Sequence, residues 1–199
     1  MTFKSLSFII IFLTIFSSSG TFAHEWNGST IPTHLRGDGI ITIFRPITGE
    51  KKAFRYRDHL GNYDGDTLAE IAYFFHCRLT NEIHGIDPAL IEILDAIEDR
   101  FAGHEIRLIS AYRSETRNNS MSRRRSRVAK RSLHMDGRAA DVEVVGISSI
   151  KIRDFVHSLG QGGVGYYGRT RFVHVDTGPL RTWGWKPATQ RTSPAVANK

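Results

Sequence analysis

The sequence predicts an α+β fold in which helices pack on a small, mainly antiparallel sheet. Three observations support this class: alternating β-branched runs near the start, two helical apolar stripes after them, and short strand-like runs in the second half. The chain has 199 residues, of which 40% are hydrophobic and 24% charged, as in an ordinary globular protein. This length predicts one domain with small appendages.

The first 23 residues are typical of a secretory signal peptide. Lys4 precedes the apolar run 6–16, and small residues lead to an expected cleavage after Ala23. A permanent membrane anchor needs about 20 apolar residues, and this run is too short. We therefore expect export with no stable membrane insertion after cleavage, a folded domain at 24–185, and a flexible Thr-, Pro- and Ala-rich tail at 186–199.

The first half of the domain predicts a hairpin followed by two helices. Residues 40–44 and 52–56 alternate on either side of a turn, as in a β-hairpin. Asp66 is a possible N-cap of the first helix, and Asp87 followed by Pro88 begins the second. Apolar residues at helical spacing form a buried stripe on each helix: Leu68, Ile71, Ala72, Phe75 and Leu79 on the first, and Leu90, Ile91, Leu94, Ile97 and Phe101 on the second.

The second half predicts three strands and one helix. The run 106–112 is a buried type of strand and places Arg113 at its end. Two further strands are expected at 139–145 and 172–176, the latter as the last strand. Between them, Ser148 predicts the N-cap of a helix that runs to residue 159.

The segment between Ser114 and Arg131 is polar and strongly basic. A formal net charge of +7 for the chain indicates an anionic partner such as the cell wall, anionic lipid or nucleic acid. A solvated loop, a docking surface for anionic polymer and an RNA-binding segment all fit this stretch. No aromatic residues are interleaved with its charges, so we do not expect nucleic acid and favour a loop that flanks the substrate.

His134 and Asp141 lie seven residues apart, where a loop leads into a strand, and His174 lies on a short strand-like run. Two imidazoles and a carboxylate, with a position left for water, are the ligand set of a catalytic zinc site. Residues two apart on a strand share a face, so Glu143 accompanies Asp141, and Asp176 accompanies His174. From spacing alone, surface or hydrogen-bonded histidines remain the alternative.

The segment Ser132-x-His134-x-x-Gly137-x-Ala139-x-Asp141 resembles the signature of the M15 zinc peptidases, the D-alanyl-D-alanine carboxypeptidase and peptidoglycan endopeptidase group. Upstream, the segment Ser-Ala-Tyr-Arg-Ser at 110–114 is similar to the SGYRS segment of that family. The resemblance covers about residues 36–185.

A Gly-Gly-Val-Gly-Tyr-Tyr run and the ending His-Val-Asp-Thr-Gly-Pro resemble the exported DUF882/YcbK-like branch, which includes a murein endopeptidase. The resemblance implies the fold of the D-Ala-D-Ala carboxypeptidase and hedgehog-like group. It also implies zinc held by His134, Asp141 and His174, with Arg113 facing the substrate. Peptidoglycan would be that substrate, and the location periplasmic or cell-wall associated.

The general base does not follow from the resemblance. Relatives with a glutamate three residues before the last ligand, or with a His-x-His pair, would place the base at 171 or 172, which hold Arg171 and Phe172. Asp176 is the candidate base, and orienting His174 through its other ring nitrogen is an equal alternative. Glu143 is the reserve candidate.

Three classes of function follow. The first is a zinc-dependent murein endopeptidase that cleaves peptide cross-links, with a D,D- or L,D-carboxypeptidase as its nearest rival. The second is a non-catalytic wall-binding protein, which the missing base favours. The third is a nucleic-acid-binding module that rests on the arginine cluster alone. The sequence leaves the oligomeric state open.

Overall fold

The computed structural model describes residue 31 and residues 36–124 and 129–186. The predicted signal peptide, all but the first residue of the predicted tail, and Arg125 and Arg127 of the basic segment lie outside these ranges. The described part contains seven strands and four α-helices: β1 (Ile40–Arg45), β2 (Glu50–Arg55), α1 (Gly65–Phe74), α2 (Pro88–Arg100), β3 (Ile106–Ser110), α3 (Glu115–Arg124), β4 (Ala139–Val144), α4 (Ser149–Ser158), β5 (Gly163–Tyr166), β6 (Val173–Asp176) and β7 (Arg181–Trp183).

The seven strands form one mixed sheet in the order β2-β1-β3-β4-β6-β5-β7. The prediction of a mainly antiparallel sheet is therefore wrong, although the α+β class is confirmed. The pairs β1–β3 and β5–β7 are parallel, while the other four pairs are antiparallel. Parallel neighbours need a long crossover, and here β1 returns to β3 by way of β2, α1 and α2. Local sequence patterns do not show whether two neighbouring strands run parallel or antiparallel.

Polar side chains cap the helices at their N-termini. Asp87 accepts a hydrogen bond from the backbone of α2, as the sequence predicts, and Ser148 caps α4 in the same way. The cap of α1 is Asp64 rather than Asp66, because the helix begins at Gly65, the residue before Asp66. This helix ends at Phe74, so Leu79 lies beyond it and is 52% exposed instead of buried.

The basic segment begins as a helix, which differs from the loop that the sequence predicts. Helix α3 covers residues 115–124, and its two last residues are arginines, which favour the C-terminal end of the helix dipole. Buried Asn118 donates hydrogen bonds to the carbonyls of Ala129 and Lys130. These bonds tie the chain that follows the helix back to its inner face.

The central strands β4 and β6 bring the second half of the chain to the middle of the sheet. Alternating Val and Ala side chains of both strands are buried against the helices. Their antiparallel register places Asp141 opposite His174. A short 3-10 helix, Leu133–Asp136, comes directly before β4 and carries His134. No helix in the described ranges is long and apolar enough to span a membrane.

Candidate metal centre

Three side chains from these elements meet in one buried cluster. Nε2 of His134 lies 3.2 Å from Nδ1 of His174 and 3.4 Å from Oδ1 of Asp141. Nδ1 of His174 lies 3.0 Å from the same carboxylate oxygen. All three side chains are less than 9% exposed. The structure thus brings together the three residues that the sequence singles out as metal ligands.

A tight turn returns the chain from the 3-10 helix to β4. Gly137 adopts the left-handed conformation with φ 65°, and a side chain there would overlap the carbonyl of Gly85. The backbone of Asp87 also donates to the carbonyl of Gly137. This close packing fixes the path of the backbone between His134 and Asp141.

The outward ring nitrogens of both histidines have fixed partners. Nδ1 of His134 lies 2.7 Å from the carbonyl oxygen of Ala111, which only accepts, so this nitrogen carries the proton. Nε2 of His174 lies 3.0 Å from Oδ2 of Asp176 and donates to it. The remaining nitrogens, Nε2 of His134 and Nδ1 of His174, face each other and the carboxylate of Asp141. This is how proteins orient metal-ligating histidines.

The charges within the cluster favour the binding of a cation. Burial alone would raise the pKa of Asp141, but the two histidines and Arg113 lower it well below its usual value, so the carboxylate is ionised. Burial lowers the pKa of His134, which is therefore neutral. Although burial opposes it, the hydrogen bonds to Asp141 and Asp176 raise the pKa of His174. A metal ion would take the place of the proton that this arrangement attracts.

Arg113 reaches the cluster from the end of β3. Its Nη2 forms an ion pair with Oδ2 of Asp141, and its Nε donates to the hydroxyl of Ser110 at 2.9 Å. Its backbone N–H donates to the carbonyl of His134 at 3.0 Å. The guanidinium thereby holds one oxygen of Asp141 and leaves the other to face the imidazoles.

Asp176 is fully buried, and donors surround both of its oxygens. Oδ1 accepts from the backbone of Gly163 and Gly178 at 2.9 and 2.8 Å, and Oδ2 accepts from His174 and from Arg181 at 2.7 Å. Burial would raise the pKa of Asp176, but the hydrogen bonds from His174, Gly178 and Gly163 lower it to about 2. A carboxylate held in this way is a weak base. Of the two roles open for it, the geometry favours orientation of His174.

Glu143, the reserve candidate, lies outside the cluster. It is half-buried on β4 and pairs in register with Arg107. The described residues contain one other group of three side chains that could hold a metal. This group consists of the carboxylates of Asp38, Asp95 and Asp99. That group lacks nitrogen donors, and Asp95 accepts hydrogen bonds from Tyr56 at 2.7 Å and from the backbone of Gly39 at 2.9 Å.

Two aromatic residues that the sequence does not single out lie beside the cluster. The rings of Trp183 and His174 are 5.0 Å apart, and the indole N–H of Trp183 donates to the hydroxyl of Tyr167 at 3.2 Å. Any side chain at Gly165 would overlap the indole ring. The alternating glycines before Tyr167 were the signal for this close approach.

Burial and the charge of Asp141 raise the pKa of Tyr167, against the effects of Trp183 and Arg113. The phenol is therefore protonated at neutral pH. Because its oxygen already accepts from Trp183, its own O–H is left as a donor. The phenol can present this donor at the edge of the cluster.

Comparison with known proteins identifies the family of the chain. A family model described as peptidoglycan L,D-endopeptidase MepK matches residues 37–183. Peptidoglycan L,D-endopeptidase MepK of Escherichia coli (strain K12) is 39% identical over 145 residues, which are 72% of this chain and 79% of that protein. The probable peptidoglycan L,D-endopeptidase MepK of Haemophilus influenzae is 40% identical over 147 residues, covering 72% and 78%. No solved structure shows a significant match. The resemblance found in the sequence is thus confirmed, and the chain belongs to the MepK branch of the M15 peptidase family.

Proposed function

We propose that the protein is a zinc-dependent peptidoglycan hydrolase that cleaves amide bonds in the peptide cross-links of the cell wall. The observation that carries this proposal is the cluster of His134, Asp141 and His174, whose inward-facing nitrogens and carboxylate oxygen converge on one point. Its relatives are named as peptidoglycan L,D-endopeptidases, which supports the same substrate here.

The donor set suits zinc better than a hard cation. Two imidazole nitrogens and one carboxylate oxygen are typical zinc ligands, whereas calcium and magnesium take oxygen ligands. Three protein ligands leave one position open, as in catalytic zinc sites. When bound, zinc would supply Lewis-acid chemistry by acidifying a water molecule and polarising the scissile carbonyl.

The surrounding residues would prepare the site for hydrolysis. Arg113 holds Asp141 ionised and fixes which oxygen faces the metal position, and Asp176 fixes the ring of His174. Tyr167 can donate its O–H to the substrate carbonyl oxygen as negative charge develops there. Arg113 is a second candidate for that role, because its charge is permanent.

A carboxypeptidase with D,D- or L,D-specificity would use the same residues, so the size of the product decides between the two activities. A non-catalytic wall-binding protein is a second candidate function. The observation in its favour is that Arg171 and Phe172 occupy the positions where other M15 branches carry a base. We further propose export by the signal peptide at 1–23, followed by a periplasmic or wall-associated domain at 24–185.

The His134→Ala variant tests the proposal directly. Removal of one of three ligands should abolish both stoichiometric zinc binding, measured by metal analysis, and cleavage of a cross-linked muropeptide dimer. If the protein only binds the wall, neither the wild type nor the variant should cleave the dimer. Both proteins should then still sediment with peptidoglycan. Cleavage that survives in the variant would refute the assigned site.

A further inference from the structure

A small pocket with a strongly basic lining lies beside the metal centre, at the end of β3. Its lining contains four arginines and one histidine, and neither aspartate nor glutamate is among the residues that form it in the described ranges. The remaining lining residues are apolar apart from Ser110 and Tyr112. The basic lining residues are Arg45, His76, Arg78, Arg113 and Arg117.

Arg45 is the most unusual member of this lining, because its charged side chain is only 5% exposed. One nitrogen of the guanidinium donates to the carbonyl oxygen of His76 at 3.1 Å, and another lies 3.1 Å from the ring nitrogen Nδ1. Within the described ranges, no carboxylate lies at ion-pair distance from it. A buried cation with no carboxylate at ion-pair distance is costly, so this position favours an anion.

The neighbours of Arg45 add to the positive charge. Burial lowers the pKa of Arg45, and the positive charge of Arg78 lowers it further, against the opposing effect of Glu50. Arg78 is exposed, which leaves its side chain accessible at the mouth of the pocket. The pocket thus combines a buried guanidinium, that of Arg45, with an exposed one, that of Arg78.

Three residues connect the pocket with the metal centre. Ser110 and Arg113 both line the pocket, and the same Arg113 side chain bonds the hydroxyl of Ser110 and the carboxylate of Asp141. Ala111, another lining residue, accepts the hydrogen bond from His134. A peptide whose scissile amide reaches the metal centre therefore has its next groups within reach of the pocket.

We propose that this pocket binds a free carboxylate of the substrate peptide next to the scissile amide. The inference rests on the proposed function and adds a specificity determinant to it. Carboxylates of a peptide are ionised at neutral pH, and the planar guanidinium of arginine matches them with two parallel hydrogen bonds. A substrate with this carboxylate converted to an amide would lose the charge and with it the attraction.

The Arg78→Glu variant tests the pocket without touching its buried part. With a soluble cross-linked muropeptide that carries free carboxylates, we expect KM to rise about tenfold, while kcat stays within about twofold of the wild-type value. Arg55→Glu is the matched control, because Arg55 is exposed, lies on the edge strand β2 and is absent from the pocket. It carries the same change of charge and should leave KM unchanged.

Amidated and free muropeptides separate the pocket from a general effect of charge. Wild-type protein should bind the amidated form about tenfold more weakly, and Arg78→Glu should bind both forms equally. Calorimetry in the presence of a chelator gives the dissociation constants without any hydrolysis. Preference for the free form that depends on Arg78, with no cleavage when zinc is restored, would support the pocket and refute the proposed function. Cleavage with equal binding of both forms, or equal effects of the two variants, would overturn the pocket.

Discussion

At the scale of single residues, the geometry of the candidate metal centre depends on the partners of the outward-facing ring nitrogens. The carbonyl of Ala111 and the carboxylate of Asp176 determine which nitrogen of each histidine is protonated. Neither partner would be a metal ligand itself. Each fixes the tautomer and the direction of its ring, which would raise the affinity of the cluster for a metal ion.

Asp176→Asn should therefore act on metal affinity. We expect zinc to bind about 10- to 100-fold more weakly, because the amide orients His174 less strongly than the carboxylate. Saturating zinc should restore most of kcat, and the pH profile of the restored enzyme should match that of the wild type. Zinc titration with a competing chelator, followed by assays at saturation, gives both quantities.

The opposite result would identify Asp176 as the base. In that case zinc affinity would be unchanged, while kcat would fall at every zinc concentration. Glu143→Gln is the control, because Glu143 lies outside the cluster and its loss should leave both quantities unchanged.

Tyr167→Phe tests the phenol as a donor to the substrate. Loss of the O–H should lower kcat about 100-fold, as loss of a single hydrogen-bond donor to a developing oxyanion does in other hydrolases, with unchanged zinc content. Tyr166→Phe is a matched control, because Arg153 lies over the ring of Tyr166, 4.9 Å from its centroid. Equal rates for the two variants would exclude this role for Tyr167.

Asp95 predicts a pH dependence of stability that is independent of the metal. Burial raises the pKa of Asp95 to about 7, and Asp99 and Asp38 act in the same direction against hydrogen bonds from Tyr56 and Gly39. Between about pH 4 and 7 the folded state thus binds more protons than the unfolded state, so stability falls as pH rises, by up to about 4 kcal/mol. Chemical unfolding across this range should show the slope.

Asp95→Asn, which cannot ionise, should remove most of that slope. An identical slope in the wild type and the variant would show that another group is responsible. Both proteins should be compared at the same zinc concentration, because bound metal also stabilises the folded state.

The residues of the candidate site were predictable to different degrees. The spacing and the resemblance single out His134, Asp141 and His174. Pairing of β4 with β6 brings Asp141 and His174 together, and the turn at Gly137 adds His134. The place of Trp183 and Tyr167 beside the cluster was not predicted, because in a sequence an aromatic residue is most simply interpreted as part of the hydrophobic core. The glycines before Tyr167 signal a close approach, but only the packed sheet reveals that Trp183 is the residue that approaches Gly165.

At the scale of elements, the turn between the 3-10 helix and β4 sets the geometry of the cluster. Gly137→Ala should destabilise the protein by at least about 1–2 kcal/mol, because Gly137 is left-handed and faces the carbonyl of Gly85. Denaturant unfolding measures the loss. Gly65→Ala is the control, because Gly65 lies in open space at the start of α1 and its replacement should not destabilise the protein. Equal stability of the two variants would contradict the argument.

Elements with a strong local pattern were predictable from the sequence. The hairpin, the capped helix α2 and the strands β4 and β6 each have the periodicity or cap that defines them. Helix α3 has no apolar stripe and is held by contacts of Asn118 with residues that follow it, so its sequence resembles a loop. Strand β7 has three residues and forms only as a parallel edge beside β5.

At the scale of the whole molecule, the sheet joins two parts of the sequence with different tasks. The hairpin and the first two helices supply most of the large buried side chains. The second half supplies the candidate metal centre. Two of its residues, Asp141 and His174, lie on strands at the middle of the sheet, where neighbouring strands on both sides restrict their movement. The direction of the crossovers is a property of this whole arrangement, which explains why the parallel pairs were not predicted.

Charge is the second property of the whole molecule. The formal net charge of +7 favours association with an anionic polymer, and the basic pocket concentrates part of that charge next to the metal centre. Binding to intact peptidoglycan should therefore weaken as salt increases, whereas zinc binding at the buried cluster should change little.

Digestion of intact peptidoglycan sacculi tests the central claim most directly. The mature protein is incubated with sacculi, with a chelator, and with the chelator followed by excess zinc, and the muropeptides are then identified by mass. We expect cross-linked dimers to decrease and monomers to increase, the chelator to stop this change and zinc to restore it. Unchanged muropeptides in the presence of stoichiometrically bound zinc would contradict the assignment as a peptidoglycan hydrolase.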